Sequence, residues 1–306
     1  MAVVQVPIAG NDWSINDDLA GEPAREFDSV GQPGAVSRGT DSLPHPKATR
    51  VLVIANQKGG VGKTTTAVNL AAALGFGGLN VFVVDMDPQG NASTALGVDH
   101  RQGIRGTYEV LLDGDAIEWH AVRSAEAPGL TVLPATMDLA GAELELVDMA
   151  GRERRMAQAL ESYLGNHSPD YVILDCPPSL GLLTLNALVA AHEILIPIQC
   201  EYYALEGVTQ LLTTINLVKT GLNDDLVLST VLLTMYDGRT RLSTQVADEV
   251  RRHFSRETLE AVVPRSVRVS EAPSYGQTVI TYHPASAGAQ AYLAAAKEIA
   301  ERGVDR

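Results

Sequence analysis

The chain has 306 residues, of which 45% are hydrophobic and only 5% aromatic, a balance that favours an α/β protein packed by aliphatic side chains over a β-sandwich. Its net charge of −14 excludes a surface that binds nucleic acid all over, so any such contact must be a local patch. Two cysteines exclude a disulfide framework and are too few for a zinc site within one chain. Because the sequence has neither a signal peptide nor an apolar run of roughly 18 residues, we expect a cytoplasmic protein.

The first predicted region is an N-terminal tail at residues 1–48. It is rich in Gly, Pro, Ser and acidic residues, has little apolar periodicity and ends in Pro44-His45-Pro46. This composition predicts disorder, followed by one domain at 49–306. A tryptophan in such a tail is a ready anchor for a partner, so the stretch around Trp13 is a docking candidate. The alternative is a linker with one incidental aromatic residue.

A buried strand and a glycine-rich loop follow the tail. The run at 51–55 is short, apolar and mostly β-branched, which is typical of a strand inside a parallel sheet. The loop glycines, Gly59, Gly60 and Gly62, allow the backbone N–H groups to surround a polyphosphate at the start of the next helix. In such a loop Lys63 reaches the β- and γ-phosphates. Thr64, the next residue, offers a hydroxyl ligand to Mg²⁺.

Carboxylates end two further predicted strands. Asp85 and Asp87 follow the strand at 81–84, and Asp175 follows the strand at 171–174. The carboxyl ends of parallel strands are where α/β sheets bind ligands, and a Walker B aspartate holds Mg²⁺ through water. For Asp85, a loop or helix-capping role and a ligand role are equally open. For Asp87 we favour a functional role.

Strand and helix patterns alternate through the rest of the chain. Strands are predicted at 130–134, 194–199 and 226–235, and helices within 138–164 and at 206–219 and 287–302. Such alternation predicts right-handed crossovers. We therefore expect an α/β fold of the P-loop type: a doubly wound, mostly parallel twisted sheet with helices on both faces.

The loop departs from the ordinary phosphate-loop pattern, because Gln57 stands where the first glycine is expected and a second lysine, Lys58, precedes the glycines. It resembles the deviant Walker A motif of the ParA/MinD superfamily of P-loop ATPases. The segments DPQGN, DCPPS and SEAPS resemble partition ATPases of the ParA/Soj type, and the likeness covers about 50–303. The resemblance implies that Lys58 reaches across a nucleotide-sandwich homodimer to the partner's ATP. The nucleotide-binding residues that it implies are Lys58, Gly59, Gly60, Val61, Gly62, Lys63, Thr64, Thr65, Pro264 and Arg265.

The same resemblance implies a cycle of ATP binding and hydrolysis and the residues that carry it out. Lys58, Lys63 and Asp87 are the implied catalytic residues, with Asp87 orienting the attacking water, and Thr64, Asp87 and Asp175 are the implied Mg²⁺ ligands. The ATP-bound dimer is expected to bind double-stranded DNA on the nucleoid without sequence preference. A ParB-type centromere-binding partner is expected to stimulate hydrolysis, which drives segregation of a chromosome or plasmid. The tail is the candidate contact for a polar scaffold protein.

A local basic patch is the candidate DNA-binding surface. Residues 236–268 hold seven arginines against five carboxylates, and the guanidinium group suits bidentate contact to phosphate. The favoured contacts are Arg239, Arg241, Arg265 and Arg268. For Arg251, Arg252 and Arg256, pairing with nearby glutamates on a solvated helix face is at least as good an interpretation.

Three rival functions within the same fold are less favoured. A MinD-like membrane ATPase for positioning cell division needs a basic amphipathic C-terminal helix, whereas 289–298 is nearly neutral and rich in small residues, so no membrane contact is expected. An iron-protein electron carrier needs exposed cysteines, whereas the strand positions of Cys176 and Cys200 suit packing. An ATP-dependent ligase of the dethiobiotin-synthetase kind has no need of the cross-subunit lysine.

Overall fold

The structure is a computed structural model that describes residues 42–201 and 204–304, without the side chains of 204–207. Within these ranges eight strands form one sheet: β1 (Arg50–Ile54), β2 (Val81–Asp85), β3 (Val122–Arg123), β4 (Leu130–Leu133), β5 (Tyr171–Asp175), β6 (Glu193–Gln199), β7 (Val227–Tyr236) and β8 (Thr258–Pro264). The α-helices are α1 (Lys63–Phe76), α2 (Asn91–Ala95), α3 (Thr107–Leu112), α4 (Leu139–Leu146), α5 (Arg155–Leu164), α6 (Leu182–Ala190), α7 (Ala204–Gly221), α8 (Arg241–His253), α9 (Val267–Glu271), α10 (Val279–Tyr282) and α11 (Ala287–Arg302).

The sheet has the order β3-β4-β2-β5-β1-β6-β7-β8 and is parallel except where β3 pairs with β4. Alternate residues of β1 enter two separate cores, Val51 and Val53 on one face and Leu52 and Ile54 on the other. Helices α1 and α11 cover the second face, and helices α5 to α8 cover the first. The predicted fold class is confirmed. Because seven strands run in parallel, the loops after their carboxyl ends meet at one edge of the sheet.

Most of the predicted tail lies outside the described residues, including Trp13; its described part begins at Ser42. Leu43 donates its backbone N–H to Gly77 O at 2.9 Å, and its side chain packs against the core under α1. A Cβ on Gly77 would lie 2.3 Å from Leu43 Cδ1. A side chain at residue 77 would therefore displace Leu43, and the chain already contacts the folded domain before residue 49.

A buried ion pair joins β1 to β6 at the amino ends of these strands, on the side of the sheet away from the loops just described. Arg50 donates from Nε and Nη2 to the two carboxylate oxygens of Glu193 at 2.7 and 2.8 Å. Its Nη1 donates to Tyr171 Oη at 3.0 Å and to Ile299 O at 2.7 Å. The guanidinium group thus links three central strands, β5, β1 and β6, to α11.

Replacing Arg50 with alanine is expected to lower the free energy of unfolding by about 3 to 5 kcal/mol, because the change leaves the Glu193 carboxylate buried without this partner. The matched control is Arg101→Ala, which removes an exposed pair with Asp99 and should leave the free energy of unfolding almost unchanged. Urea unfolding of both variants measures the difference. Equal, small changes in the two variants would show that the buried pair does not hold the sheet together.

Candidate nucleotide site

The loop between β1 and α1 has the backbone shape of a phosphate loop. Gly60 and Gly62 have φ angles of 74° and 89°, a region that glycine adopts without steric cost. A Cβ placed on Gly59 or Gly60 would meet nothing within 4 Å, so the loop faces open space. None of the described side chains caps the amino end of α1. The N–H groups of its first turn are therefore available to an anion.

The Asn56 side chain of the loop, a backbone carbonyl of β6 and the Thr234 side chain of β7 hold the loop in place. Asn56 donates from Nδ2 to Pro197 O at 2.8 Å, and its Oδ1 accepts the backbone N–H of Lys58 at 3.0 Å. Thr234 donates from Oγ1 to Val61 O at 2.8 Å. Both side chains are buried. Sequence reasoning missed Asn56 and Thr234, although a small polar residue at the end of an apolar strand was the available signal.

The two lysines of the loop occupy different environments. Lys63 is buried, with its Nζ 3.5 Å from Lys58 O, and burial lowers its pKa while the charges of Asp175 and Asp87 offset part of that effect. The side chain of Lys58 is 34% exposed and its Nζ lies 3.6 Å from Glu201 Oε2. Lys63 therefore belongs to the site of its own chain, while Lys58 lies on its rim.

The structure brings the three aspartates together at the ends of adjacent strands. Asp85 and Asp175 are direct partners in the pairing of β2 with β5, and Asp87 follows two residues later. One Asp85 oxygen accepts Ser93 N at 2.8 Å and Ser93 Oγ at 2.7 Å, and the other accepts Asp87 N at 3.2 Å. Burial raises the pKa of Asp85 to about 7. Of its two open roles, the structure favours the structural one, since Asp85 holds the first turn of α2.

Asp175 differs from the other two aspartates because its carboxylate accepts no hydrogen bond among the described residues. Both of its carboxylate oxygens are buried, and neither accepts a hydrogen bond from any described residue. Burial, and then the charge of Asp85, raises its pKa well above the usual value, and the nearby Thr64 hydroxyl and Lys63 offset this only in part. A divalent cation would compensate such a bare carboxylate.

The donor set at Asp175 fits a hard cation with few protein ligands. Among the described residues no three His, Cys, Asp or Glu side chains lie close enough to hold a metal ion by themselves. Mg²⁺ usually keeps several waters and takes one or two carboxylates together with substrate phosphates. Thr64 and Asp175 suit that arrangement. Asp87 lies nearly buried, with its Oδ1 accepting Gln89 N at 3.0 Å.

The segment after β8 reaches the same edge of the sheet. Pro264 pairs with Tyr236 of β7, and Arg265 donates its backbone N–H to Tyr236 O at 3.1 Å. Arg265 Nη2 also lies 3.1 Å from Glu201 Oε1. Glu201 is therefore in contact with both Lys58 and Arg265, a role that sequence reasoning missed because the three residues are far apart along the chain.

The four favoured arginines are all exposed, and three of them pair with a carboxylate. Arg239 binds Asp237 at 2.8 Å, and Arg268 binds Glu271 at 3.0 Å. Arg265 binds Glu201, and Arg241 begins α8. Of the arginines given the alternative interpretation, Arg252 pairs with Glu249 at 2.6 Å, a contact that this interpretation predicts.

The structure also bears on the iron-protein and membrane rivals. Cys176 and Cys200 are buried free thiols, and burial raises the pKa of Cys200 to about 11, so both cysteines pack as the sequence predicted. The apolar face of α11, including Tyr292 and Ile299, lies in the core against α1 and β8. In the described part of the chain, no helix combines the length and the apolar character that a membrane span requires.

Fold and loop together define a P-loop ATPase, and a family model described as an AAA domain matches residues 49–228. The sporulation initiation inhibitor protein Soj of Bacillus subtilis is 51% identical over 254 residues, which cover 83% of this chain and 99% of Soj. The chromosome partitioning protein ParA of Caulobacter vibrioides is 52% identical over 257 residues, which cover 84% and 96% of the two chains. The chain therefore belongs to the ParA/Soj family of chromosome-partitioning ATPases, as its motifs predicted.

A solved structure shares the fold. Cobyrinic acid a,c-diamide synthase from Mycobacterium smegmatis, with bound ADP and magnesium, superposes with a TM-score of 0.70 at 42% sequence identity. The match covers 83% of this chain and 93% of that protein.

Proposed function

We propose that this chain is an ATP-driven switch for DNA segregation, which binds Mg-ATP, dimerises around it and is reset by hydrolysis. The different exposure of the two loop lysines supports this function most directly. Lys63 is buried against its own phosphate loop, whereas Lys58 is fixed at its backbone by Asn56 and has a partly exposed side chain, which can leave its pair with Glu201 to approach a second subunit. One lysine thus serves the nucleotide of its own chain and the other that of the partner.

Each part of the nucleotide has candidate binding residues. The N–H groups from Gly59 to Thr65, including that of Val61, would surround the phosphates, and the segment with Pro264 and Arg265 would bind the base. Thr64, Asp175 and Asp87 would hold Mg²⁺, which neutralises phosphate charge when it is bound. Asp87 orients the attacking water, since its charge acts on the buried Lys63 together with that of Asp175.

The ATP-bound dimer binds double-stranded DNA of the nucleoid through Arg239, Arg241, Arg265 and Arg268. A ParB-type partner stimulates hydrolysis and releases the dimer from DNA, and the N-terminal tail contacts a polar scaffold. The relatives named as chromosome partitioning proteins support this assignment. The burial of the apolar face of α11 disfavours the MinD-like alternative.

Replacing Lys58 with alanine should abolish the ATP-induced dimer while nucleotide binding through Lys63 remains. The reason is that the partner's phosphates lose the cation that crosses the interface. Sedimentation velocity with ATP and Mg²⁺ measures the dimer, and a fluorescent nucleotide analogue measures binding to the monomer.

The matched control is Lys297→Ala on α11, which removes an exposed lysine paired loosely with Glu301 and should dimerise like the wild type. Normal dimerisation of the Lys58→Ala variant would refute the nucleotide-sandwich proposal. It would favour a monomeric ATPase, such as a biosynthetic synthase.

A further inference from the structure

Glu201, just after β6, collects donors from three parts of the chain. Its Oε1 accepts Gln199 Nε2 at 2.6 Å and Arg265 Nη2 at 3.1 Å. Its Oε2 lies 3.6 Å from Lys58 Nζ. One carboxylate therefore ties the phosphate loop to the segment after β8.

The pairing limits where the Lys58 ammonium can be. Asn56 fixes the backbone of Lys58, so the side chain alone can move. While its ammonium stays with Glu201 it cannot cross to the nucleotide of a second subunit. Both side chains are partly exposed, at 34% and 44%, which makes the pair weak enough to break.

Contacts of Gln199 and Met235 fix the ends of β6 and β7 next to Glu201. The Gln199 amide that donates to Glu201 also lies 3.3 Å from the sulfur of Met235. Met235, the residue before the last of β7, has a φ of 50° and is the one non-glycine residue with positive φ in the described ranges. Such backbone strain persists where surrounding contacts enforce it and is concentrated at functional sites. The ends of β6, β7 and β8 thus meet around one carboxylate.

We propose that Glu201 is a positioning residue that holds Lys58 and Arg265 in the nucleotide-free chain and so sets the ATP concentration at which the dimer forms. This inference rests on the proposed role of Lys58. A γ-phosphate carries more negative charge than one carboxylate and competes for the Lys58 ammonium. ADP lacks that group, so with ADP the ammonium stays on Glu201.

The test is an ATP titration of dimerisation for the full-length wild type and Glu201→Gln, followed by sedimentation velocity. Glutamine keeps the shape and removes the charge. Glu201→Gln weakens the exposed pairs with Lys58 and Arg265, each of which stabilises the nucleotide-free chain only slightly. Losing both should lower the half-maximal ATP concentration for dimerisation about threefold to tenfold. The half-saturating ATP for hydrolysis should fall in parallel, while turnover at saturating ATP stays unchanged, a split that a merely structural residue would not produce.

Two further variants make the result specific. Glu249→Gln is the matched control, because it removes an exposed carboxylate paired with Arg252, and it should titrate like the wild type. Glu201→Asp keeps the charge but has a shorter side chain, which moves the carboxylate away from Lys58. Its half-maximal ATP concentration for dimerisation should therefore lie between those of the wild type and Glu201→Gln.

The outcomes separate the two proposals. If the wild type fails to dimerise with ATP, the proposed function is wrong. If the wild type dimerises and Glu201→Gln needs the same or more ATP, Glu201 does not restrain Lys58 and the inference is overturned. A melting temperature equal to that of the wild type confirms that the variant is folded.

Discussion

Replacing Asp87 with alanine should give a protein that binds ATP and dimerises but hydrolyses ATP about 100 to 10,000 times more slowly, the usual loss when a positioned proton acceptor is removed. The phosphate contacts come from Lys63 and the loop N–H groups, so binding should survive. Asp87 is buried and its Oδ1 accepts the N–H of Gln89, so its carboxylate has a defined position in the site. Phosphate release and sedimentation velocity measure the two properties separately.

Two controls accompany Asp87→Ala. Asp99→Ala removes an exposed carboxylate paired with Arg101 and should hydrolyse ATP normally. Lys63→Ala should lose nucleotide binding itself. Full hydrolysis by Asp87→Ala would place the water-orienting role elsewhere, and Asp85 is a poor substitute because Ser93 and the Asp87 N–H occupy both of its oxygens.

Reversing the charge of Arg239, Arg241, Arg265 and Arg268 together should reduce the affinity of the ATP-bound dimer for duplex DNA by about 1,000-fold or more at low salt. Each phosphate contact adds about 0.9 to the slope of log K against log salt, so eight arginines in a dimer account for a slope of up to about 7. The pairs with Asp237, Glu201 and Glu271 are exposed, and DNA can displace them at little cost. Fluorescence anisotropy with DNA of random sequence measures the affinity.

The control for this variant reverses four other exposed arginines, which changes the net charge by the same amount: Arg101, Arg105, Arg123 and Arg154. These changes should leave most of the binding in place. Equal losses in both variants would mean that overall charge, not a surface, governs binding. Tight binding by the first variant would put the DNA surface elsewhere.

The sheet could be predicted where its strands are buried on both faces, because such strands are continuous apolar runs. The run at β1 and the one at β5 are of this kind, and each leads directly to site residues. The two strands that were missed lie at the edges of the sheet. β3 is two residues long, and β8 carries an exposed Glu260 and ends in Pro264, so neither strand is a continuous apolar run.

The site was predictable as a set of residue types but not as a set of contacts. Asp85 and Asp87 both follow β2 closely in sequence, and only the contact with Ser93, eight residues from Asp85, separates the structural aspartate from the candidate catalytic one. Lys58 and Glu201 are far apart in sequence, and they come into contact only because β1 and β6 are neighbours in the sheet. By contrast, the Arg239 pair with Asp237 is local enough to have been foreseen.

The central proposal is that ATP assembles a dimer that binds DNA, and the most direct test is the nucleotide dependence of DNA binding by the full-length protein. Duplex DNA of random sequence is titrated with protein in the presence of Mg²⁺ and ATP, Mg²⁺ and ADP, or no nucleotide. We predict that the protein binds DNA with Mg²⁺ and ATP but not with Mg²⁺ and ADP or without nucleotide. We also predict that the Lys58→Ala variant loses this binding. Equal binding with ADP and ATP, or full binding by Lys58→Ala, would contradict it.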